Sequence, residues 1–216
     1  MSRSPRRRDF ILLTSTLALG VPPALGQAKK PAVILVIGDS ISAEYGLKRG
    51  SGWVALLEQR LASEKIPATV VNASISGDTT SGGRSRLPLL LKRHQPTHVV
   101  IELGGNDALR GLPMNTIEKN LSDMIWAARE SGARVLLVGI KVPANYGKPY
   151  NDSFAAMYEK VASTLKVPLV PFILKGVADV PQAASLFQAD RLHPNEQAQA
   201  TMLDNVWPSL KTLLAT

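Results

Sequence analysis

The chain lacks cysteine and has few aromatic residues. With no cysteine among its 216 residues, it has no disulfide, no zinc–thiolate site, no cysteine nucleophile and no cysteine for a lipoprotein anchor. Aromatic residues make up only 5% of the sequence, and its Lys and Arg residues are spread along the chain. Because a nucleic-acid-binding face needs a basic stripe with stacking aromatic rings, we expect no nucleic-acid partner.

Long apolar runs are also missing. The run from Phe10 to Val21 holds about a dozen residues, whereas a membrane-spanning helix needs about 20. Arginines at positions 3, 6, 7 and 8 precede this run, and small residues follow it. The pattern predicts a cleavable secretory signal over residues 1–28 and a periplasmic or secreted protein. The paired arginines favour twin-arginine export, with an arginine-rich Sec signal as the alternative.

The remaining residues, 29–216, are expected to form one globular domain. Hydrophobic residues make up 45% of the chain, enough for a sizeable core. The formal net charge is +8, of which the signal contributes +3 through four arginines and Asp9, so the domain carries about +5. We expect a monomer without stable membrane insertion once the signal is removed.

Short apolar runs alternate with helix-like segments along this domain. The runs are continuous, which is typical of strands covered on both faces. Strands are predicted at Ala32–Ile37, Ala68–Asn72, His98–Leu103, Arg134–Ile140 and Leu169–Phe172. Helices are predicted at Trp53–Lys65, Thr80–His94, Thr116–Ser131, Ser153–Leu165 and Asn195–Leu214, with N-caps at Asn115 and Asp152 and a bend or stop at Pro208. This alternation predicts an α/β fold, a three-layer α/β/α sandwich around a mostly parallel five-stranded sheet.

Residues suited to acyl transfer follow three of the predicted strands. Ser40 lies in Gly38-Asp39-Ser40, Gly77 in Ser76-Gly77-Asp78, and Asn106 in Gly105-Asn106-Asp107. Ligands of parallel α/β sheets bind beyond the carboxyl ends of the strands, so these residues are expected at the edge that holds the site. A serine hydroxyl is a candidate nucleophile, while glycine N–H and asparagine amide groups can donate to an oxyanion.

The candidate base lies near the other end of the chain. His193 follows Asp190 by three residues, and one helical turn brings residues at this spacing together. The carboxylate could then reach one ring nitrogen and leave the other free. A serine nucleophile needs such a base, and the base needs a group that fixes its tautomer. Taken singly, each segment could be an ordinary turn or surface contact; their order and common sheet edge favour a site.

Together these segments resemble the SGNH (GDSL-type) hydrolase superfamily. The resemblance extends to its bacterial periplasmic thioesterase, lysophospholipase and arylesterase group. The matching stretches cover residues 38–43, 71–79, 86–88, 102–107, 109–111, 143–147 and 193–195. Glu44 departs from this pattern, since a glycine is expected there.

The resemblance implies a flavodoxin-like fold and a catalytic triad of Ser40, Asp190 and His193. It implies an oxyanion hole formed by the backbone N–H groups of Ser40 and Gly77 and the side chain of Asn106, with no metal or organic cofactor. The substrate would be a small-molecule or lipid acyl ester. Substrate-binding residues are expected at Leu109, Leu112, Pro113 and Tyr146, with ordinary loop packing as the alternative.

Two other functions fit the same sequence. A carbohydrate O-acetylesterase would use the same catalytic parts, and a non-catalytic envelope-binding protein would keep only the fold. The remaining candidate residues are expected to be structural. His94 and His98 lie away from the predicted site edge, and Asp39 and Asp107 are expected to hold turns.

Overall fold

The computed structural model describes Met1 and residues 31–215. The five predicted strands form one sheet, β1 (Ala32–Gly38), β2 (Ala68–Asn72), β3 (His98–Glu102), β4 (Arg134–Val138) and β5 (Leu169–Val170). Their order is β2-β1-β3-β4-β5, and every neighbouring pair is parallel. The predicted sheet is therefore confirmed, and its strand order is that of flavodoxin-like folds. The predicted signal lies outside the described residues, apart from Met1.

The central strands β1 and β3 are largely apolar because they are buried on both faces. All five residues of β3 are buried, as are the last five of β1, because helices cover both faces of the sheet. The register places Ile34 of β1 beside His98 of β3, and Gly38 beside Glu102. The buried ends of these two strands therefore lie side by side below the loops that follow them.

The helices form the outer two layers. They are α1 (Trp53–Ser63), α2 (Thr80–His94), α3 (Gly105–Leu109), α4 (Met114–Glu130), α5 (Lys148–Leu165) and α6 (Gln199–Ala215). Helices α1 and α6 pack together, while α2, α4 and α5 pack in series. Within residues 31–215, no helix combines the length and the apolar character needed to cross a membrane.

Several predicted helix ends were wrong. The helix after Pro113 begins at Met114, so Asn115 lies inside it and Pro113 is its N-cap. The next long helix begins at Lys148, with Gly147 as N-cap, and Asp152 lies inside that helix, where it pairs with Lys148 at 2.6 Å. Pro149 is the second residue of this helix, and a proline is tolerated in the first helical turn because its missing N–H has no partner to lose there.

Two further features differ from the sequence prediction. Helix α3 lies outside the predicted helices, because five residues are too few to show helical periodicity. Pro208 does not end the last helix, because α6 continues from Gln199 to Ala215.

Candidate active site

Ser40, His193 and Asp190 form a continuous hydrogen-bonded chain. Ser40 Oγ lies 2.9 Å from His193 Nε2, although the two residues are 153 positions apart. On the opposite side of the imidazole, Nδ1 lies 2.7 Å from Asp190 Oδ2. With Nδ1–H donated to the carboxylate, Nε2 is left as the acceptor that faces the serine hydroxyl.

The Asp190–His193 segment is a tight turn and not the helical turn that the spacing indicated. An antiparallel bridge between Phe187 and Pro194 closes it. Asp190 Oδ1 accepts the backbone N–H groups of Leu192 and His193, at 2.9 and 3.0 Å. These bonds, the one from the His193 N–H foremost, lower the pKa of Asp190 to about 2. The Asp190 carboxylate is therefore ionised at neutral pH, where it can stabilise a positively charged imidazole.

Ser40, Gly77 and Asn106, the three residues predicted to donate to an oxyanion, all line one cavity. Ser40 follows β1, Gly77 follows β2, and Asn106 lies in the first turn of α3 after β3. In the described part of the chain, neither the Ser40 N–H nor the Gly77 N–H has a hydrogen-bond acceptor. Asn106 Nδ2 gives one hydrogen to Asp39 Oδ2 at 3.0 Å, which leaves its second hydrogen free.

Asp39 joins the serine turn to the Asn106 helix. Its carboxylate is buried, accepts the Ile41 N–H at 3.0 Å through Oδ1, and accepts the Asn106 amide through Oδ2. Burial raises the pKa of Asp39 to about 6, against the lowering effect of these bonds and of His193. Asp39 thus holds a turn, as expected, and also orients the Asn106 side chain.

Asp107 links α3 to the first residue of α2. It is buried and accepts the backbone N–H of Thr80 at 2.8 Å and its hydroxyl at 2.5 Å. Thr80 is the first residue of α2, so a carboxylate on α3 satisfies one orphan backbone N–H at the N-terminus of a neighbouring helix. Gly77, which precedes that helix, is thereby held near the start of α3.

Arg86 joins the loop between β2 and α2 to the end of β1. Its guanidinium contacts Asp78 at 2.8 Å, donates to the Ala73 carbonyl, and reaches the Gly38 carbonyl at 3.5 Å. The pair is largely buried, with side-chain exposures of 20% for Arg86 and 10% for Asp78. The sequence resemblance includes residues 86–88 but gives Arg86 no role, because its partners come from separate segments of the chain.

Arg110 holds the Gly77 loop from above. Its guanidinium donates to the Gly77 carbonyl at 2.9 Å. Gly77 has φ of 77°, a left-handed conformation that favours glycine. The turn that presents the Gly77 N–H is therefore held by its own backbone conformation and by the Arg110 side chain.

A second buried acid lies beneath the nucleophile turn. Glu102 accepts the Ser42 hydroxyl at 2.7 Å, and Ser42 Oγ accepts Trp53 Nε1–H at 3.1 Å. Burial, followed by the nearby charge of Asp39, raises the pKa of Glu102 well above its ordinary value. A Cβ on Gly38 would come within 2.8 Å of both Glu102 Oε2 and Ser42 Oγ, so this close approach requires glycine.

A cavity of about 980 Å³ opens next to Ser40. Its walls come from the loop after β4, the start of α5, and the segment between β5 and α6; they include Val142, Ala155, Phe172, Leu174 and Phe187. Of the four predicted substrate-binding residues, Leu109 lines this cavity, and Leu112, Pro113 and Tyr146 are not among its lining residues. Tyr146 nevertheless touches this wall, because its hydroxyl donates to the Leu109 carbonyl at 3.2 Å.

The other histidines lie elsewhere. His98 is buried at the start of β3, where Nε2 lies 3.2 Å from the Leu213 carbonyl, and burial lowers its pKa. His94 is the last residue of α2. Among the described residues, no three His, Cys, Asp or Glu side chains are grouped to hold a metal ion.

A family model and two curated proteins are similar to this chain over most of its length. The family model described as "GDSL-like Lipase/Acylhydrolase family" matches residues 36–201. Esterase TesA of Pseudomonas aeruginosa is 50% identical over 204 residues, covering 94% of this chain and 98% of that protein. Thioesterase 1/protease 1/lysophospholipase L1 of Escherichia coli is 43% identical over 181 residues, or 84% of each chain.

A solved structure agrees with the sequence comparison. The psychrotrophic esterase EstA from Pseudoalteromonas sp., in a structure inhibited by monoethylphosphonate, superposes with a TM-score of 0.79 at 37% identity. The alignment covers 86% of this chain and 100% of that one.

Proposed function

Because the chain belongs to the GDSL-like lipase/acylhydrolase family, we propose that it is a serine hydrolase that forms an acyl-enzyme on Ser40. Its substrates would be carboxylic esters and thioesters: lysophospholipid, acyl-CoA or aryl ester. The single observation that carries the catalytic assignment is the chain of hydrogen bonds from Ser40 Oγ through His193 to Asp190. The predicted roles of these residues follow from that geometry.

Acylation would begin at the Ser40 hydroxyl. Ser40 Oγ attacks the acyl carbonyl carbon while its proton passes to His193 Nε2, 2.9 Å away. The imidazolium that forms is stabilised by Asp190, whose lowered pKa keeps it ionised. When the carbon–oxygen or carbon–sulfur bond breaks, His193 returns the proton to the leaving alcohol or thiol.

The negative charge on the carbonyl oxygen would be held by Ser40 N–H, Gly77 N–H and the free hydrogen of Asn106 Nδ2. The two backbone groups have no other acceptor in the described residues, so they can bind the oxyanion without breaking existing bonds. The Asp39 contact fixes the Asn106 amide before the substrate arrives. Such preorganised donors act most strongly on the transition state.

Deacylation would repeat the cycle with water. His193 removes a proton from water, the resulting oxygen attacks the acyl carbon, and Ser40 leaves with the proton returned. The products are the free carboxylic acid and the regenerated serine. These steps use only side-chain and backbone groups of the chain, and no metal or organic cofactor takes part.

The cavity favours a substrate with a sizeable apolar part. Its volume of about 980 Å³ is at the upper end of the range of small-molecule sites. Aliphatic and aromatic side chains, including Val142, Phe172 and Phe187, form its walls. An acyl chain or aryl group would lose contact with water there, whereas an acetyl group would fill only a small part of the space.

We further propose that the enzyme acts as a monomer in the periplasm or outside the cell. The basic N-terminal segment with its short apolar run supports export. The absence of cysteine is compatible with an oxidising compartment, because there is no thiol to oxidise.

The test compares wild-type protein with Ser40→Ala on an acyl-CoA, a lysophospholipid and a series of nitrophenyl esters from acetyl to decanoyl. Wild type should hydrolyse the longer esters, and Ser40→Ala should lose at least about 10³-fold in kcat. Ser63→Ala, an exposed serine on α1, serves as the matched control and should retain full activity. Equal rates for wild type and Ser40→Ala would refute the proposal, and a preference for acetyl esters alone would favour a deacetylase.

A further inference from the structure

Tyr45 contacts the face of the candidate base. Its ring centroid lies 4.4 Å from that of His193, with an angle of 41° between the two planes. Tyr45 lines the cavity and is 49% exposed, so its large ring is not buried for the sake of the core. Because core packing does not account for a half-exposed aromatic ring, its position against His193 indicates a role in the site.

The Tyr45 ring restricts a motion of His193 that its two hydrogen bonds restrict only weakly, the tilting of the imidazole out of its plane. The bonds to Asp190 and Ser40 each use a ring nitrogen, whose N–H or lone pair is directed in the plane of the imidazole. They resist displacement within that plane better than tilting out of it. A ring packed against one face restricts this tilt, and with it the direction in which Nε2 points.

The main chain of Tyr45 is tied to the main chain that carries His193. Gln188 Nε2 donates to the Tyr45 carbonyl at 2.8 Å and to the Pro194 carbonyl at 3.0 Å. The backbone N–H of Gln188 donates to the His193 carbonyl at 2.8 Å. One residue therefore sets the spacing between the two segments whose rings touch.

Glu44 holds the Tyr45 loop from its other side. Its carboxylate accepts the Gly50 N–H at 3.0 Å and the Gly52 N–H at 2.8 Å, closing the loop from 44 to 52. Glu44 has φ of 59°, in the left-handed region that favours glycine, the residue that the sequence resemblance led us to expect here. The carboxylate bonds are a gain that glycine could not offer, and they offset this strain.

We propose that Tyr45 is a positioning residue for His193, and that Glu44 is the residue that fixes the loop presenting it. The inference rests on the proposed function, because it takes His193 as the base. Loss of the ring contact would leave the substrate cavity in place but lower the fraction of molecules with Nε2 aimed at Ser40. The expected effect therefore falls on kcat more than on KM.

The first experiment compares Tyr45→Ala with Tyr45→Phe on nitrophenyl acetate, whose short acyl group makes little use of the cavity. Tyr45→Ala should lower kcat about three- to tenfold with KM changed less than twofold, the range expected for one aromatic contact. Tyr45→Phe should restore most of the loss, because the Tyr45 hydroxyl has no hydrogen-bond partner in the described residues. Trp126→Ala removes an equally exposed aromatic ring from α4 and should leave kcat unchanged.

The second experiment tests the part played by Glu44. Glu44→Gly removes the carboxylate without adding strain and should lower kcat, whereas Glu44→Gln keeps an acceptor oxygen and should lose less. Because both residues act through one contact, the double variant Glu44→Gly/Tyr45→Ala should be no slower than Tyr45→Ala alone. Multiplied losses in the double variant would overturn the assignment of Glu44.

The rate at which an organophosphonate inactivates each variant provides a readout without deacylation. Ser40 Oγ forms the new bond to phosphorus as the leaving group departs, so the rate reports serine activation directly. Tyr45→Ala should slow this reaction by the same factor as kcat. Wild-type rates in Tyr45→Ala would refute the inference while leaving the proposed function standing; an inert wild type would refute the proposed function itself.

Discussion

Replacing Arg86 with methionine would test how the loops of the site are held together. The guanidinium contacts the Asp78 carboxylate at 2.8 Å and two backbone carbonyls, those of Ala73 and Gly38. Methionine keeps most of the aliphatic stem and removes every one of these polar contacts. Asp78, whose side chain is 10% exposed in the wild-type fold, would lose the cation that pairs with its charge.

The magnitude follows from the burial of this pair. Breaking a fully buried ion pair costs about 3–5 kcal/mol, and an exposed pair contributes about 0–1 kcal/mol. With 20% and 10% of the two side chains exposed, Arg86→Met should lower the free energy of unfolding by about 2–4 kcal/mol. For a domain of this size, that corresponds to a fall in Tm of about 4–16 °C.

The assay combines urea unfolding with kinetics at a temperature where the variant is folded. Because Asp78 directly follows Gly77, kcat should fall about tenfold as the direction of the Gly77 N–H becomes less certain. Arg84→Met is the matched control, since Arg84 lies on the same helix and makes an exposed pair with Asp123. It should lose less than about 1 kcal/mol and keep its kcat.

A double variant checks the cause. If the unpaired charge of Asp78 dominates the loss, Arg86→Met/Asp78→Asn should recover at least half of it. A loss below about 1 kcal/mol in Arg86→Met, with kcat unchanged, would refute the view that this arginine holds the site together.

Two further predictions come from the structure, and a third tests the substrate contact that the sequence predicts for Leu112. Asn106→Ala removes one oxyanion donor and should lower kcat by about 10²–10³-fold with little change in KM. Steady-state kinetics on a nitrophenyl ester measure both constants, and a change in KM alone would contradict this role. Asp39, whose pKa is raised from 3.8 to about 6, is protonated in the folded state and ionised in the unfolded state between these values, so folding stability should fall as pH rises through this window. Asp39→Asn should flatten that decline, measured as Tm from pH 4 to pH 7; an unchanged pH slope would contradict the assigned burial cost. Leu112→Ala should weaken decanoyl esters more than acetyl esters if this loop covers the acyl chain, and equal losses on both would count against that role.

Much of the fold could be predicted because its signals are local. A continuous apolar run such as Ala32–Gly38 can be satisfied only where both faces of a strand are covered, and this requirement is written in neighbouring residues. The order of strands and helices then indicates a parallel sheet, since parallel strands need helical crossovers. The helix bounds were less accurate, because α3 has only five residues and α5 begins four residues before its predicted N-cap.

Ser40 and His193 could be proposed from the sequence as candidate nucleophile and base because each is set in a segment with distinctive neighbours. Ser40 follows a buried strand, and Asp190 precedes His193 at a distance that allows a direct bond. Their meeting across 153 positions depends on the folded sheet and on the turn closed by Phe187 and Pro194. The sequence indicated a spacing of one helical turn, and the structure reaches the same contact through a different backbone.

What the sequence by itself determined was the class of fold, the family and the residues able to carry out acyl transfer. These depend on hydrophobic patterns and short motifs, which survive in a one-dimensional reading. Only the tertiary structure decided which groups surround those residues. Arg86 below the Gly77 loop, Gln188 between Tyr45 and Pro194, and Tyr45 against His193 all act across distant segments. Their roles depend on distances of a few ångströms between separate elements, and packing alone sets those distances.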